Sequence, residues 1–361
     1  MSSEALTRIR LFDLLRIARG RQASDLHLAA SEHPTLRIDG YLVRLNVEPM
    51  ADEELNGLQA MLLDARLSRI LLQQGDADTA LRDADLGVFR VHVYHSLGKP
   101  RFAIRLVPQH VPSLERMFFP PAVAGLVTKN AGLILFVGPT GSGKTTALAA
   151  LVDCINRTTA RHIVTIEDPV EYVHTPFCAS ISHREIGTDV MTFASGVRSV
   201  LRADPDVILI GELRDSDTMQ AALCAAETGH LVFSTLHSGD AAQTVDRFTD
   251  AFASGRQQQI RAQLAQTLLA VISIRLVKRA ASAGRRAAVE VLVGTEAVRA
   301  LIRDGKSHQL RNAIVTGRQA GMQTLETHLS DLVVRRDITL ECARAATDRP
   351  DEIRVLSGYA S

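Results

Sequence analysis

One stretch of the chain has the residue types and spacing to hold a polyphosphate. Residues 138–146 read GPTGSGKTT, which fits GxxxxGK[ST]. They follow the strand-like GLILFV and precede an Ala/Leu-rich helical run at 147–152. Strand, loop and helix in that order are the context this pattern needs. Gly138, Gly141 and Gly143 let backbone N–H groups converge on phosphate oxygens where a Cβ would obstruct them. Pro139, Thr140, Ser142 and Thr146 complete the loop. Lys144 offers a point charge to the β- and γ-phosphates, and Thr145 a hydroxyl to Mg²⁺. The start of the following helix adds partial positive charge. The expected ligands are ATP and Mg²⁺.

Such a site also needs carboxylates at the ends of neighbouring strands. VILIGE, 207–212, is an apolar strand ending in Glu212, where aspartate is usual. VTIEDPVEY, 164–172, places Glu167, Asp168 and Glu171 just after another strand. One carboxylate can hold a metal-bound water while another polarises the attacking water. The alternative for each is a helix cap or an ion pair with arginine. His230 and His237 flank a fourth apolar run. A histidine there either reports loss of the γ-phosphate by changing hydrogen-bond partners or is simply a bonded core residue.

Four short apolar runs must position these groups: 133–137, 163–166, 207–210 and 231–233. Each has the length of a buried strand and is separated from the next by helix-compatible sequence. That pattern predicts an α/β domain whose parallel sheet is covered on both faces. Beyond residue 255 the chain reads as helical almost to the end, broken by a hairpin around 280–286. Ahead of this domain the elements are short and mixed. A helix is expected over 6–18, strands over 26–28, 35–38 and 41–45, and a helical segment over 52–73. The Asp39-Gly40 pair joins two of those strands as a turn. Strands return at 88–94 and 102–106. The domains expected are 1–112 (α+β), a linker at 113–121 within a stretch marked by Pro108, Pro112, Pro120 and Pro121, and 122–361 (α/β with helical C-terminal region).

The whole-chain numbers exclude several classes. At 361 residues, two or three domains can each bury a core. Lysine and arginine number 41 against 40 aspartates and glutamates, so no excess of charge marks a coat for nucleic acid or anionic lipid. There is no tryptophan and there are only four tyrosines, which disfavours a base-stacking groove. Cysteines 154, 178, 224 and 342 form no CxxC pair, so free thiols are expected rather than a zinc knuckle or a disulfide framework. The longest uncharged, mainly apolar run, 263–274, is too short to span a bilayer. A soluble intracellular protein is expected, docking at a membrane if it works there.

Taken together, four blocks are recognisable: GPTGSGKTT, TIEDPVEY, LRADPDVILIGELRD and AAETGHLVFSTLHS. They resemble the Walker A motif, Asp box, atypical Walker B motif and His box of the secretion ATPase superfamily, which drives type II secretion and type IV pili. ASDLHL at 23–28, GMQTLETHL at 321–329 and AVRALIRDGK at 297–306 resemble blocks of its pilus retraction branch. The resemblance covers about residues 5 to 345. It implies a PAS-like N-terminal domain, a RecA-like ATPase domain with C-terminal helices, and a homohexameric ring. It makes Glu171 the catalytic base and Glu212 the Walker B carboxylate, holding Mg²⁺ with Thr145, partly through water. His230 and His237 become the His-box pair. Arg90 and Arg105, with Arg101 behind them, become arginines that reach the phosphates. It further implies a cytoplasmic motor at the inner membrane, partnered by a pilus platform protein and the pilus base, without direct nucleic-acid binding. The scattered cysteines and the absence of an extra N-terminal region favour retraction over pilus assembly. An accessory retraction paralogue, an assembly or secretion ATPase and a DNA-transfer ATPase are the alternatives. In 297–306, Arg299 and Arg303 sit one turn apart, either as a plain surface or as a basic face for a partner.

Overall fold

The computed structural model describes residues 3–38, 40–107, 111–117, 119–281 and 284–354. Asp39 and Pro108, parts of the expected turn and linker, lie outside them. The chain divides into two compact units, Met1–His110 and Val111–Ser361.

The first unit is a six-stranded antiparallel sheet with helices on one face. Its strands are β1 (Asp25–Ala29), β2 (Thr35–Ile38), β3 (Tyr41–Arg44), β4 (Asp76–Asp83), β5 (Gly87–Ser96) and β6 (Lys99–Leu106), in the order β3-β2-β1-β6-β5-β4. Alternation sorts the faces. Leu26, Leu28, Leu36, Phe89, Val91, Val93, Phe102 and Ile104 are buried with Leu11, Leu14 and Leu15 of helix Ser3–Gly20 and Leu55 and Leu58 of helix Asp52–Leu62. Each such side chain contributes about 1.5–3 kcal/mol by leaving water. The opposite face carries charge: Asp25 sits opposite Arg37 on one side and Arg105 on the other, and Arg105 sits opposite Arg90.

The expected helix over 52–73 is two helices. Leu63 is extended, and Asp64 caps the second helix, Ala65–Gln74, by accepting from the Leu67 N–H at 2.7 Å. Strand β4 was not expected. Its sequence, DADTALRD, is acidic and half-exposed, as suits an edge strand whose charges discourage further pairing.

The second unit is built on a seven-stranded sheet: β7 (Gly132–Val137), β8 (His162–Glu167), β9 (Ser180–Glu185), β10 (Val207–Ile210), β11 (Leu231–Leu236), β12 (Leu268–Lys278) and β13 (Arg285–Val293). The order is β13-β12-β7-β11-β10-β8-β9, and every pair is parallel except β12 with β13. The four apolar runs are β7, β8, β10 and β11. All residues of β7, β10 and β11 are buried, because helices cover both faces.

The reading of 255 onward as almost wholly helical needs correction. Only Ser254–Thr267 continues as helix before β12 and β13, whose paired residues run from Ala270 with Val293 to Lys278 with Arg285. LLAVISIRLVK and RRAAVEVLV are rich in β-branched residues, and a short apolar run does not distinguish strand from helix by period alone. The turn falls where the hairpin was expected, with residues 282 and 283 outside the described set. Helix Glu296–Arg303 forms as expected, but Arg299 donates to the carbonyls of Gly294 and Gln266, at 2.9 and 2.8 Å, and so is not a free basic face.

Candidate functional site: a phosphate loop and its carboxylates

Parallel strands end together, so the segments after β7, β11, β10 and β8 meet at one sheet edge. The phosphate loop, 138–143, leaves β7 and enters helix Lys144–Thr158. Gly138 has φ +142°, and a Cβ there would collide with the Ile274 carbonyl and lie 2.7 Å from Ser142 Oγ. Gly143 caps the helix at φ +92°. Both positions require glycine, as the motif implied.

Lys144 is buried. Its ammonium donates to the carbonyls of Gly138 and Pro139 at 2.8 and 3.0 Å, and burial lowers its pKa while nearby Glu212 opposes the shift. Ser142 Oγ is buried without a hydrogen-bond partner. A cation turned onto carbonyls and an unmet hydroxyl are what an entering polyphosphate would satisfy. These residues therefore fit the nucleotide.

Glu212 follows β10. The Thr235 hydroxyl donates to the Gly211 carbonyl at 2.7 Å, and the Leu213 N–H donates to the Thr235 carbonyl at 3.0 Å, so β11 fixes the strand end that carries Glu212. Glu212 pairs with Arg214, and its other oxygen stands 3.8 Å from His237 Nε2. Burial and the charge of Lys144 lower the His237 pKa, so a neutral ring is favoured. The site thus brings together Lys144, Glu212 and His237. Thr145, on the first turn of the helix, and Glu212 present the hard oxygen donors that suit Mg²⁺.

The Asp-box segment runs from β8 across the same edge. The Gly211 N–H donates to the Ile166 carbonyl at 2.8 Å, setting Glu212 beside Glu167 and Asp168. Tyr172 Oη and Thr146 Oγ1, 3.1 Å apart, tie this segment to the phosphate-loop helix. The Glu171 N–H points to Glu167 Oε2 at 3.5 Å.

Not every expected residue joins the cluster. His230 precedes β11, whose Leu231 pairs with Gly132 at the start of β7. It therefore lies at the opposite sheet edge, about 20 Å of strand from His237. Its Nδ1 meets the Ala225 carbonyl at 3.0 Å and Thr228 Oγ1 at 3.2 Å, closing the turn before β11. Arg105 and Arg101 belong to the first unit, where they pair with Asp25, at 3.1 Å, and with Glu32. Arg90 lies opposite Arg105 on the same face.

A cavity of about 800 Å³ opens beside the loop, lined by Gly138–Ser142, His237, Arg247, Arg275 and Arg285. Sequence reading missed these three arginines, since none sits in a phosphate-binding pattern. The Arg247 guanidinium donates to the His237 carbonyl and so holds the segment after β11.

Residues 12–355 match the family model described as "Type II/IV secretion system protein". The chain belongs to that family. It is an ATPase. It is 38% identical over 339 residues to the "Type IV pilus retractation ATPase PilT" of Pseudomonas aeruginosa, covering 94% of this chain and 98% of that one. It is 40% identical over 311 residues to the "Twitching motility protein" of Neisseria gonorrhoeae, covering 86% and 83%. Its fold matches the crystal structure of the pilus retraction motor PilT with bound ADP at TM-score 0.86 and 37% identity, covering 94% of this chain and 97% of that one. Among the described residues no helix is long and apolar enough to cross a membrane.

Proposed function

We propose that this ATPase is a hexameric, Mg-ATP-driven motor of type IV pilus retraction. The carrying observation is the 38% identity to a retraction ATPase over 94% of the chain, with the phosphate loop, Glu212 and the Asp box at one sheet edge. We assign a PAS-like domain to 1–112, a linker to 113–121 and a RecA-like ATPase domain with C-terminal helices to 122–361. The antiparallel sheet with helices on one face supports the first assignment, and the parallel strand order around β7 supports the last.

In this reading Lys144 exchanges the carbonyls of Gly138 and Pro139 for β- and γ-phosphate oxygens. The loop amides and Thr140, Ser142 and Thr146 orient the chain of phosphates. Bound Mg²⁺ would neutralise phosphate charge, held by Thr145 and, partly through water, by Glu212. Glu171 orients and deprotonates the attacking water, and the bond between the γ-phosphorus and the ADP oxygen breaks. His237, touching both Lys144 and Glu212 electrostatically, reports loss of the γ-phosphate. For Arg90 and Arg105 we propose a role as cations supplied to the phosphates on assembly, with release of Asp25. His230 is given a structural role. The partners are a pilus platform protein of the inner membrane and the pilus base, with the ring on the cytoplasmic side and no direct contact with nucleic acid.

The Glu171→Gln substitution tests the chemistry. Loss of a general base lowers phosphate release by about 10²–10⁴-fold, with binding of a non-hydrolysable ATP analogue retained. Unchanged phosphate release would reject Glu171 as the base.

A further inference from the structure

The segment that carries Glu171 has no regular structure between β8 and β9. Its backbone groups have no ladder, so side chains must satisfy them. Three do so, two from β9 and one from the phosphate-loop helix. Glu185 Oε2 on β9 accepts from the Val170 N–H at 3.2 Å. His183 Nε2, also on β9, accepts from the His174 N–H at 3.2 Å. Buried Asn156 accepts from the Phe177 N–H at 2.9 Å and donates to the Thr175 carbonyl at 2.8 Å.

The His183 contact fixes a proton. A ring nitrogen that accepts from an N–H carries a lone pair, so the hydrogen of the neutral ring is on Nδ1. That Nδ1 lies 2.9 Å from Thr165 Oγ1, directly across the β8–β9 pair, and 3.8 Å from Glu167 Oε1. One imidazole therefore links three things: strand β8, the Glu167 carboxylate and the far end of the Glu171 segment. His174 packs over it with ring centroids 5.8 Å apart and planes 12° apart.

We propose that His183, as the Nδ1–H tautomer, is a positioning residue for hydrolysis, holding the Glu167–His174 segment so that Glu171 addresses the attacking water. This rests on the reading of Glu171 as the base. His183 touches no phosphate in that scheme. Its loss should leave nucleotide binding intact and lower turnover, because a displacement of about 1 Å at a reacting group costs about 10²-fold.

The test has a chemical and a spectroscopic arm. His183→Leu removes the acceptor and keeps the volume. His183→Gln places an amide oxygen where Nε2 stood. The expected result is a fall in kcat of about 10²-fold for His183→Leu, with an unchanged KM for ATP, and recovery to within about threefold of wild type in His183→Gln. Equal kcat in His183→Leu and wild type overturns the proposal, as does an equal loss in both variants. Nitrogen-15 histidine NMR of the unaltered protein covers the case in which His183→Leu fails to fold. A protonated Nδ1 and bare Nε2 on His183 are expected, and the reverse tautomer overturns the proposal. Glu171→Gln run beside these separates the two readings. If Glu171→Gln abolishes turnover while His183→Leu does not, only the positioning role fails; if Glu171→Gln is active, the base assignment itself fails.

Discussion

Acid should destabilise the ATPase unit through a ring that lies beside the site but makes no hydrogen bond through its Nδ1. His174 is 7% exposed, and Nδ1 is buried without a partner. Burial, and then the neighbouring His183, push its pKa from 6.5 to about 4, against the opposing pull of Asp153 and Glu167. Between those two values the unfolded chain binds a proton that the folded chain refuses. Stability from this group is therefore full above pH 6.5, falls as the pH drops, and is gone below about 4. A gap of 2.5 pH units corresponds to about 3 kcal/mol at 1.36 kcal/mol per unit. His174→Phe removes the titration and keeps a ring against His183. Near pH 7 the variant should match wild type or exceed it by about 1 kcal/mol, since a buried unmet lone pair is lost. Near pH 5.5 it should gain about a further 1.4 kcal/mol on wild type. His328, whose pKa is also lowered to about 4 by burial, is present in both proteins and cancels. Urea unfolding followed by circular dichroism at several pH values gives the comparison. Parallel stability curves for the two proteins would refute the argument that His174 is neutral in the fold.

Gly138→Ala should abolish ATP binding and also lower stability, because the new Cβ meets the backbone carbonyl of buried Ile274 and Ser142 Oγ at a φ of +142°; calorimetric titration with ATP would contradict this by showing unchanged affinity. Asn156→Leu should cost about 1–3 kcal/mol for the two lost hydrogen bonds, read as a lower urea midpoint, and a midpoint equal to wild type would disprove the bridging role. Arg105→Ala should cost at most about 1 kcal/mol, since Arg105 is 64% exposed in its pair with Asp25, yet it should lower ATP turnover; unchanged turnover removes it from the site.

The parts legible in the sequence were those where one local rule decides. Three glycines, a lysine and a threonine between a buried strand and a helix specify a phosphate loop whatever surrounds them. The runs at 133–137, 207–210 and 231–233 are apolar throughout, and 163–166 is apolar but for Thr165, because both faces of those strands are covered. What stayed hidden depends on neighbours. Strand β9, SISHRE, is polar and half-buried, so nothing in its pattern marks it as a sheet edge or His183 as a prop for the Asp box. Strands β12 and β13 are apolar enough to pass for helix until their pairing is seen. His230 and His237 sit seven positions apart in one recognisable block, and only the direction of β11 separates them to opposite edges. Arg105 reads as an available cation until the register sets it against Asp25.

The central claim is that this ATPase powers retraction, and direction of work is what decides it. The most direct measurement is deletion of its gene in the source cell, with surface pili counted by electron microscopy alongside twitching motility. Abundant pili on cells that no longer move are the expected result. Cells without pili would contradict the account and make the protein an assembly motor.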